Sequence, residues 1–265
     1  MSIFYIFTIA VFLLYCCFRK GLKMIYHIFD KTKLTSVPAN DAENSWFDFN
    51  DFYAFDGATA DDIIVKELIN SDDFLRMILR KFNPNKNFIS HCFYFEKPNG
   101  AADYLTDFIV TDAALNQFPD LPSRVKIAQN AVNFCMRTKI LKTTRPLVTF
   151  LNHSGHFNIK NPTACDSHLL VTECTRLFGD VADFSDYQLD CCLYPNARKI
   201  KGIAQSRNTD IIVVNDINEG NSIVKSFLLN GWTGCGYLAG LDIKIVMNSR
   251  ANLADNPVAI AKIAK

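Results

Sequence analysis

Short apolar runs alternate with helical patterns along most of this chain, and this alternation is the feature that most limits its fold. The runs at 63–65, 147–151 and 211–214 carry no charge, as expected for strands that are buried on both faces. Stretches with apolar residues at helical spacing, such as 71–82, lie between them. Strands that alternate with helices in this way predict an α/β fold with a mainly parallel sheet.

Two of the predicted strands run into polar residues. "IIVVND" ends in Asn215 and Asp216, and "KIVMNSR" runs into Ser249 and Arg250. In open α/β sheets, ligands collect at the carboxyl ends of strands. An alcohol and a fixed positive charge stand here in place of the Gly or Pro typical of a simple turn. We therefore expect the stretch 247–256 to form the edge of a site.

Charge and cysteine content argue against several function classes. Lys and Arg number 28 against 27 Asp and Glu, so the formal net charge of +1 gives no support for nucleic-acid binding. The nine cysteines show no CxxC spacing, so we expect reduced thiols and neither a zinc site nor a disulfide framework. His153 and His156 have no acid or cysteine at ligand spacing, which favours a surface loop over a metal site.

The first 23 residues form a hydrophobic segment. Residues 3–18 carry no charge and are followed at once by Arg19 and Lys20. A membrane-spanning helix usually needs about 20 apolar residues, so the run is slightly short. Because the basic residues follow it, the body of the protein would stay in the cytoplasm. We expect an anchor at the inner face of the cell membrane; a buried strand or helix, or a true start at Met24, are the alternatives.

The rest of the chain divides into two parts that differ in residue pattern. Residues 24–58 are acidic and rich in aromatic residues without a sustained period, which predicts a linker. From residue 59 onwards, strand and helix patterns continue to the end of the chain. We therefore expect 59–265 to form the folded domain.

The C-terminal part resembles the phosphate acetyltransferases and phosphate butyryltransferases. That family shows a strand, a D-I-E-A-G-N motif, a helix, a small-residue segment ending in L-G, a second strand and then S-R-A. Here Glu219 is displaced by one position relative to the motif. The matching residues are Asp216, Ile217, Glu219, Gly220, Asn221, Leu238, Gly240, Ser249, Arg250 and Ala251.

The resemblance extends upstream and covers roughly residues 60–265. "SHCFYF" is similar to the family's S-H-V strand, and "FIVTDAALNQFPD" to its T-D-x-A-x-N-x-x-P segment, which here contains Thr111, Asp112 and Asn116. "DYQLD" resembles, more loosely, the loop D-G-P-L-x-x-D, with Asp190 in the place of the family's aspartate.

The resemblance implies a fold and an activity. The implied fold is a two-domain αβα fold of the isocitrate-dehydrogenase-like type with the cleft between its domains. The family's first α/β units have no counterpart here, so the chain resembles a divergent, N-terminally truncated member with an incomplete first domain. The implied reaction moves a short acyl group between coenzyme A and inorganic phosphate, with coenzyme A as a substrate and no cofactor. A homo-oligomer is also implied.

This chemistry needs a cation for phosphate, a hydrogen-bond donor for the oxyanion and help in deprotonating the thiol. Arg250 offers a bidentate fork, and Ser249 offers a hydroxyl. In the acetyltransferase branch, as the resemblance implies, an aspartate seven residues past the serine is the thiol base. Asn256 stands there in this chain, as an amide does in the butyryltransferase branch. Asp255 is the neighbouring carboxylate, and the base stays unassigned.

Several candidates also have purely structural interpretations. Gly220 and Asn221 are typical of the turn and cap that start a helix, although amides at a helix start also favour an anion. The Thr111, Asp112 and Asn116 segment is equally consistent with a turn network. We expect His91 to be a satisfied core histidine and the cysteines to be apolar filler.

Departures from the family pattern leave two other functions open. Glu67 replaces the glycine of the family's K-G pair after Lys66, so a phosphate would meet a carboxylate. Ser185 and Asp186 replace the G-P of the later loop. The chain could then be a catalytically impaired, membrane-tethered paralogue that acts as a binding or regulatory module, or a decaying copy without a role.

Overall fold

The computed structural model describes residues 23–33, 36–41, 43–154, 159–205 and 207–264. Within these ranges, the strands are β1 (Ile25–Phe29), β2 (Asn44–Asp48), β3 (Ile63–Lys66), β4 (Ser90–Glu96), β5 (Phe108–Thr111), β6 (Leu147–Leu151), β7 (Asp183–Tyr187), β8 (Ile211–Val213), β9 (Thr233–Ala239) and β10 (Lys244–Val246). The α-helices are α1 (Phe49–Ala54), α2 (Ser71–Phe82), α3 (Leu121–Thr138), α4 (Pro162–Phe178), α5 (Leu189–Leu193), α6 (Pro195–Ile200), α7 (Ile217–Leu229) and α8 (Asn256–Ile263), with a 3₁₀ turn at Arg250–Asp255.

All ten strands form one sheet in the order β2-β1-β3-β10-β9-β4-β5-β8-β6-β7. The group β2, β1, β3 and β10 is parallel, and so is the group β5, β8, β6 and β7. Between them, β9 and β4 pair antiparallel with each other and with their outer neighbours. The predicted α/β fold with a mainly parallel sheet is confirmed. The two parallel groups run in opposite directions, however, so the strands of one group end on the side of the sheet where the strands of the other group begin.

The stretch 24–58, predicted to be a linker, is part of the sheet. β1 pairs with both β2 and β3 in parallel. The aromatic residues that suggested a linker instead build a core: Tyr26 packs on Phe47, Phe52 and Phe55 at ring-centroid distances of 5.5 to 6.0 Å. The linker prediction is therefore wrong, because these short strands bury aromatic rings without a continuous apolar run.

In the part of the chain that the structure describes, no helix combines the length and the apolarity needed to cross a bilayer. The predicted anchor at residues 3–18 lies outside the described residues.

The side chain of Asn70 begins α2. Its Oδ1 accepts a hydrogen bond from the backbone N–H of Asp72 at 2.8 Å, so it supplies the acceptor that a free helix start lacks. Ser71 follows it as the first helical residue. The helix itself is where its apolar spacing predicted it.

The two faces of the sheet are covered differently. On one face, a continuous apolar core joins the sheet to α3, α4 and α8. On the other face, the core is split in two. One cluster lies between the β1–β3–β10 side and α1 and α2, and the other between the β5–β8 side and α5 and α7. The antiparallel strands β9 and β4 lie at the boundary between these clusters, where neither set of helices covers them completely.

Glycines in β9 allow large rings to lie on this part of the sheet. A Cβ added at Gly234 would come within 2.3 Å of the Phe93 ring, and one at Gly236 within 2.6 Å of His91 Nε2 and 2.5 Å of the Met247 carbonyl oxygen. Phe93 and His91 project from β4 onto the same face, since they are two residues apart. The small-residue pattern of β9 therefore makes room for the side chains of its neighbour.

We expect Gly236→Ala to destabilise the protein by about 1–3 kcal/mol, because the new methyl group overlaps a backbone carbonyl that is fixed in the sheet. Urea unfolding of the variant and the parent protein measures this change in the free energy of unfolding. Thr233→Ala, at the exposed start of the same strand, is the matched control and should change it by less than about 0.5 kcal/mol. Equal stability of Gly236→Ala and the parent would contradict the proposed close packing.

Candidate active site

A cavity of about 550 Å³ opens on the sheet face between the two apolar clusters. Its floor is formed by β4, one wall by α7, and the opposite wall by the segment that follows β10. The residues that line it are Ser71, His91, Phe93, Ala113, Ala114, Asn221, Val224, Lys225, Leu228, Leu229, Met247, Asn248 and Ser249. Of the residues predicted for the site, this cavity brings together Ser249 and Asn221.

Hydrogen bonds to β9 hold the segment after β10 in place. The Met247 N–H donates to the Gly236 carbonyl at 2.8 Å, and the Asn248 side-chain oxygen accepts from the Gly236 N–H at 2.6 Å. Ser249 follows directly and is exposed at the cavity. Arg250 then begins the 3₁₀ turn; its side chain lies outside the described part of the chain. Because β8 and β10 run in opposite directions, their carboxyl ends do not meet on one side of the sheet. Ser249 lies instead at the cavity on the face of the sheet.

Asn256, predicted to be catalytic, is buried beneath this segment. Its Nδ2 donates to the Lys66 carbonyl at 3.1 Å, and its Oδ1 accepts from Asn248 Nδ2 at 2.9 Å. Both ends of the amide are therefore used, and Asn256 does not line the cavity. Asp255, at the end of the 3₁₀ turn, is partly buried and does not line it either. The structure gives Asn256 the role of tying the Ser249 segment to β3.

Lys66 and Glu67 do not have the contacts that the sequence led us to expect. Lys66 is fully buried, and its Nζ donates to the Asn248 carbonyl at 3.3 Å, which places its amino group directly beside the backbone that leads to Ser249. The Glu67 carboxylate lies 2.8 Å from His27 Nδ1 in β1. Glu67 is thus engaged by the first strand of the sheet, and the expected encounter between its carboxylate and a bound phosphate has no support in this geometry.

Of the D-I-x-E-G-N residues at the start of α7, Asn221 lines the cavity. Asp216 is the cap: its Oδ1 accepts from the N–H groups of Asn218 and Glu219 at 2.8 and 3.0 Å. Gly220 lies against the β5 loop so closely that a Cβ would fall 2.9 Å from Ala113 Cα. This contact requires glycine, and it places Asn221, the next residue, at the cavity wall. The residue types of Gly220 and Asn221 had suggested that they cap the helix, but Asp216 is the cap.

Asp112 and Asn116 form a hydrogen-bonded turn directly after Thr111, the last residue of β5. The Asp112 Oδ1 accepts from the N–H groups of Ala114 and Leu115 at 3.0 and 2.9 Å. Asn116 Nδ2 donates to the other carboxylate oxygen and to the carbonyl of residue 89. This network presents the neighbouring small residues to the cavity, whereas its own members do not line it. A direct role of these three residues in substrate binding stays a prediction.

Asp190 and Glu219, also predicted for the site, line a separate polar cavity of about 610 Å³ on the other side of α7. Lys201 Nζ lies 3.0 Å from Asp190 Oδ2. Burial raises the pKa of Asp190, but the hydrogen bonds from Lys201 and Cys191 and the charge of Lys201 together outweigh it, so this pKa is lowered. Glu219 accepts from the Asn215 N–H at 2.7 Å, and its other carboxylate oxygen lies 3.7 Å from His153 Nε2. The predicted site residues therefore divide between two cavities.

His91 was expected to be a core histidine whose ring nitrogens both have hydrogen-bond partners. It lies on the cavity floor, and only one of its ring nitrogens has a partner among the described residues. It is 4% exposed, and its Nε2 lies 3.2 Å from the Met247 carbonyl oxygen. Within the described part of the chain, its Nδ1 has no hydrogen-bond partner. Burial lowers the pKa of His91, and the negative charge of Asp112 opposes this effect. The sequence contained a signal for this residue, since His91 belongs to the segment that resembles the family's S-H-V strand.

The cysteines behave as apolar filler. Burial raises the pKa of Cys192 and Cys235 to about 12, so both are protonated thiols at neutral pH. Among the described residues, no group of three or more His, Cys, Asp and Glu side chains could hold a metal ion. His153 lies on the surface, as predicted, with a side-chain exposure of 65%; His156 lies outside the described residues.

We expect acid to destabilise the fold through His91. Its folded-state pKa is lowered, so as pH falls below the unfolded value of about 6.5, the unfolded state takes up the proton first. The free energy of unfolding should then fall by up to about 1.4 kcal/mol per pH unit. Urea unfolding between pH 7.5 and 5 measures this slope, and His91→Gln should make it shallower. Identical slopes for the variant and the parent would show that His91 does not titrate as a buried neutral group.

No family model matches the chain. Individual relatives do. A phosphate acetyltransferase of Rhizobium meliloti is 29% identical over 181 residues, which is 66% of this chain and 55% of the relative. A phosphate butyryltransferase of Clostridium acetobutylicum is 28% identical over 214 residues, 76% of this chain and 68% of the relative. The chain thus spans little more than half the length of the Rhizobium protein.

A solved structure shows the same fold. A branched-chain phosphotransacylase from Enterococcus faecalis superposes with a TM-score of 0.67 at 20% identity, over 91% of this chain and 99% of that one. The resemblance inferred from the D-I-x-E-G-N and S-R-A residues is confirmed by the curated homologues. The α/β fold class is confirmed by the structural neighbour.

Proposed function

We propose that this chain, as a relative of the phosphate acetyl- and butyryltransferases, moves a short acyl group between coenzyme A and inorganic phosphate. The reaction would be acyl-CoA plus phosphate giving acyl phosphate plus coenzyme A. The observation that carries the proposal is the cavity itself: Ser249, just after β10, and Asn221, in the D-I-x-E-G-N motif of α7, line one space, although they follow strands that run in opposite directions.

The charged groups around the Ser249 segment suit the phosphate end of this reaction. Arg250 is the group we assign to phosphate, because a guanidinium binds two phosphate oxygens at once and keeps its charge. Lys225 lines the cavity from α7, and the buried Lys66 contacts the backbone of the segment at the Asn248 carbonyl. Ser249 would donate its hydroxyl to the oxyanion that develops as the acyl carbon becomes tetrahedral.

The apolar part of the cavity suits the acyl group. Phe93, Val224, Leu228 and Met247 line it together, and burial of each methylene stabilises a bound chain by about 0.8 kcal/mol. No cofactor is part of the proposal, since coenzyme A acts as a substrate. The homo-oligomeric state and the cytoplasmic location expected from the sequence stay predictions.

The test is a thiol-release assay on the purified full chain with acyl-CoA and phosphate. We expect phosphate-dependent release of coenzyme A. Ser249→Ala and Arg250→Ala should each lower the rate by about 100-fold or more, because each removes a group that stabilises the transition state. Arg176→Ala is the matched control: this exposed arginine lies on α4 and pairs with Glu173, on the face of the sheet opposite the cavity, so its loss should leave turnover unchanged.

A folded protein without turnover would refute the enzymatic proposal. It would leave the binding-module alternative, which calorimetry with a nonhydrolysable acyl-CoA thioether would then test.

We further expect butyryl-CoA to be preferred over acetyl-CoA. Two additional methylenes in contact with the apolar wall are worth about 1.6 kcal/mol, or roughly a tenfold ratio in kcat/KM. Competition between the two thioesters in one reaction measures this ratio directly. A preference for acetyl-CoA would show that the apolar wall contacts some other part of the substrate.

A further inference from the structure

The cavity beside Ser249 is much larger than a short acyl group. Its volume is about 550 Å³, whereas a cavity of about 150 Å³ already encloses a ligand of six carbons. A butyryl group would therefore leave most of the space empty. We propose that the cavity binds a linear acyl chain of about eight carbons, laid along α7. This inference rests on the proposed function and extends its acyl group to a medium length.

The helix α7 runs beside β4 and forms one side of the cavity along most of its length. Near the start of the helix, Gly220 packs against Ala113 after β5. Near its end, the Phe227 ring lies 5.3 Å from the ring of Phe95 in β4. The lining residues of α7 share one helical face, because they are three or four positions apart. They are Asn221, Val224, Lys225, Leu228 and Leu229.

Strand pairing places Ser249 at the end of the cavity where α7 ends. Tyr237 of β9 pairs with both Val246 and Cys92, so the chain after β10 continues in the same direction as β4, towards the end of that strand. Ser249 is three residues past Val246 and therefore lies towards the C-terminal turn of α7. A chain whose carbonyl carbon is at Ser249 extends from there towards the start of α7.

The lined part of α7 has the length of an eight-carbon chain. Asn221 and Leu228 are seven residues apart, which is about 10.5 Å at 1.5 Å per residue. An extended chain covers about 3.6 Å per three bonds, or about 1.2 Å per bond. About eight carbons therefore reach from beside Leu228 to beside Asn221. The three bonds of a butyryl chain would cover only about 3.6 Å of this length.

Buried apolar residues form the interior of the cavity. Phe93 is 4% exposed, and Val224 and Met247 are each 7% exposed, although all three line the space. Such a surface favours methylene groups over polar ones. The exposed lining residues form the rim of the cavity, and they are Ser71, Ala114, Lys225, Leu229 and Ser249.

The polar side chains of the interior are committed to the protein. The Asn248 side chain accepts from the Gly236 N–H and donates to Asn256. His91 Nε2 lies 3.2 Å from the Met247 carbonyl oxygen, and its Nδ1 is buried. A ligand group that needs hydrogen bonds would therefore find few partners in the interior.

This division between interior and rim distinguishes the two chains that leave the reacting carbon. The pantetheine arm of coenzyme A contains two amides and a hydroxyl, which are costly to bury without partners. An acyl chain contains only methylene and methyl groups, and burial of each methylene strengthens binding roughly fourfold. The acyl chain therefore takes the interior, and the pantetheine arm lies at the rim, where water and Lys225 supply polar partners.

Competition between acyl-CoA thioesters of two to twelve carbons in one reaction measures the chain-length preference of the full chain. We expect kcat/KM to rise roughly fourfold per methylene from butyryl to octanoyl. It should level off beyond about ten carbons, because a longer chain passes the end of the lined helix face. A kcat/KM that falls from butyryl to octanoyl overturns this proposal and leaves the transfer reaction in place.

Val224→Phe tests whether the acyl chain lies on α7. The larger ring occupies the middle of the cavity, so the octanoyl-to-butyryl ratio of kcat/KM should fall about tenfold or more, while kcat/KM for acetyl-CoA stays within about twofold. Val181→Phe is the matched control: Val181 is 40% exposed, lies between α4 and β7 and should keep the parent ratio. An unchanged ratio in Val224→Phe contradicts the placement of the chain.

A binding measurement separates this proposal from the transfer reaction. Thioethers of coenzyme A cannot be cleaved, so calorimetry on the full chain can compare S-octyl-coenzyme A with S-ethyl-coenzyme A. We expect the octyl compound to bind at least about 100-fold more tightly. Equal affinities overturn the cavity as the site of the chain. Length-dependent binding by a protein without turnover would support the acyl site and refute the proposed transfer.

Discussion

The reversal of strand direction in the middle of the sheet is the constraint on which the site depends. Because β9 and β4 run antiparallel between two parallel groups, each group carries its own helices on one face, and neither set covers the centre. On the opposite face a single core spans the boundary, so the two halves are held as one sheet. A cavity thus opens where the covering helices stop, on strands that are themselves rigidly hydrogen-bonded.

A small network of buried polar groups then positions the reactive segment. Asn248 bonds to Gly236 on one side and Asn256 on the other, while Asn256 and Lys66 tie the same segment to β3. Such groups are stable in the interior only when each donor and acceptor is paired. Loss of one partner would leave others unsatisfied, so the network favours one conformation of the Ser249 segment. Rigid placement is what transition-state stabilisation requires.

Much of the fold could be predicted from sequence, and the misses share a physical cause. The runs that became β3, β6 and β8 are continuous and apolar, so their burial on both faces is visible in composition. The sequence did not predict β9 as a strand, because its glycines interrupt the apolar pattern that is typical of a strand. In the structure these glycines leave room for the rings of β4. β1 and β2 were missed because their aromatic residues become a core only when β3 and α2 lie beside them.

The sequence by itself determined the fold class, the resemblance to the acyltransferases and the placement of Ser249 and Arg250 directly after a buried strand. These follow from local pattern and motif, which a linear chain carries in full. Only the tertiary structure decided which candidates share a space. It placed Asp190 and Glu219 in a second cavity on the other side of α7, buried Asn256 as a tie between segments, and put His91 on the floor of the first cavity. Those outcomes depend on strand order, strand direction and hydrogen bonds between residues far apart in the chain, and no local pattern encodes them.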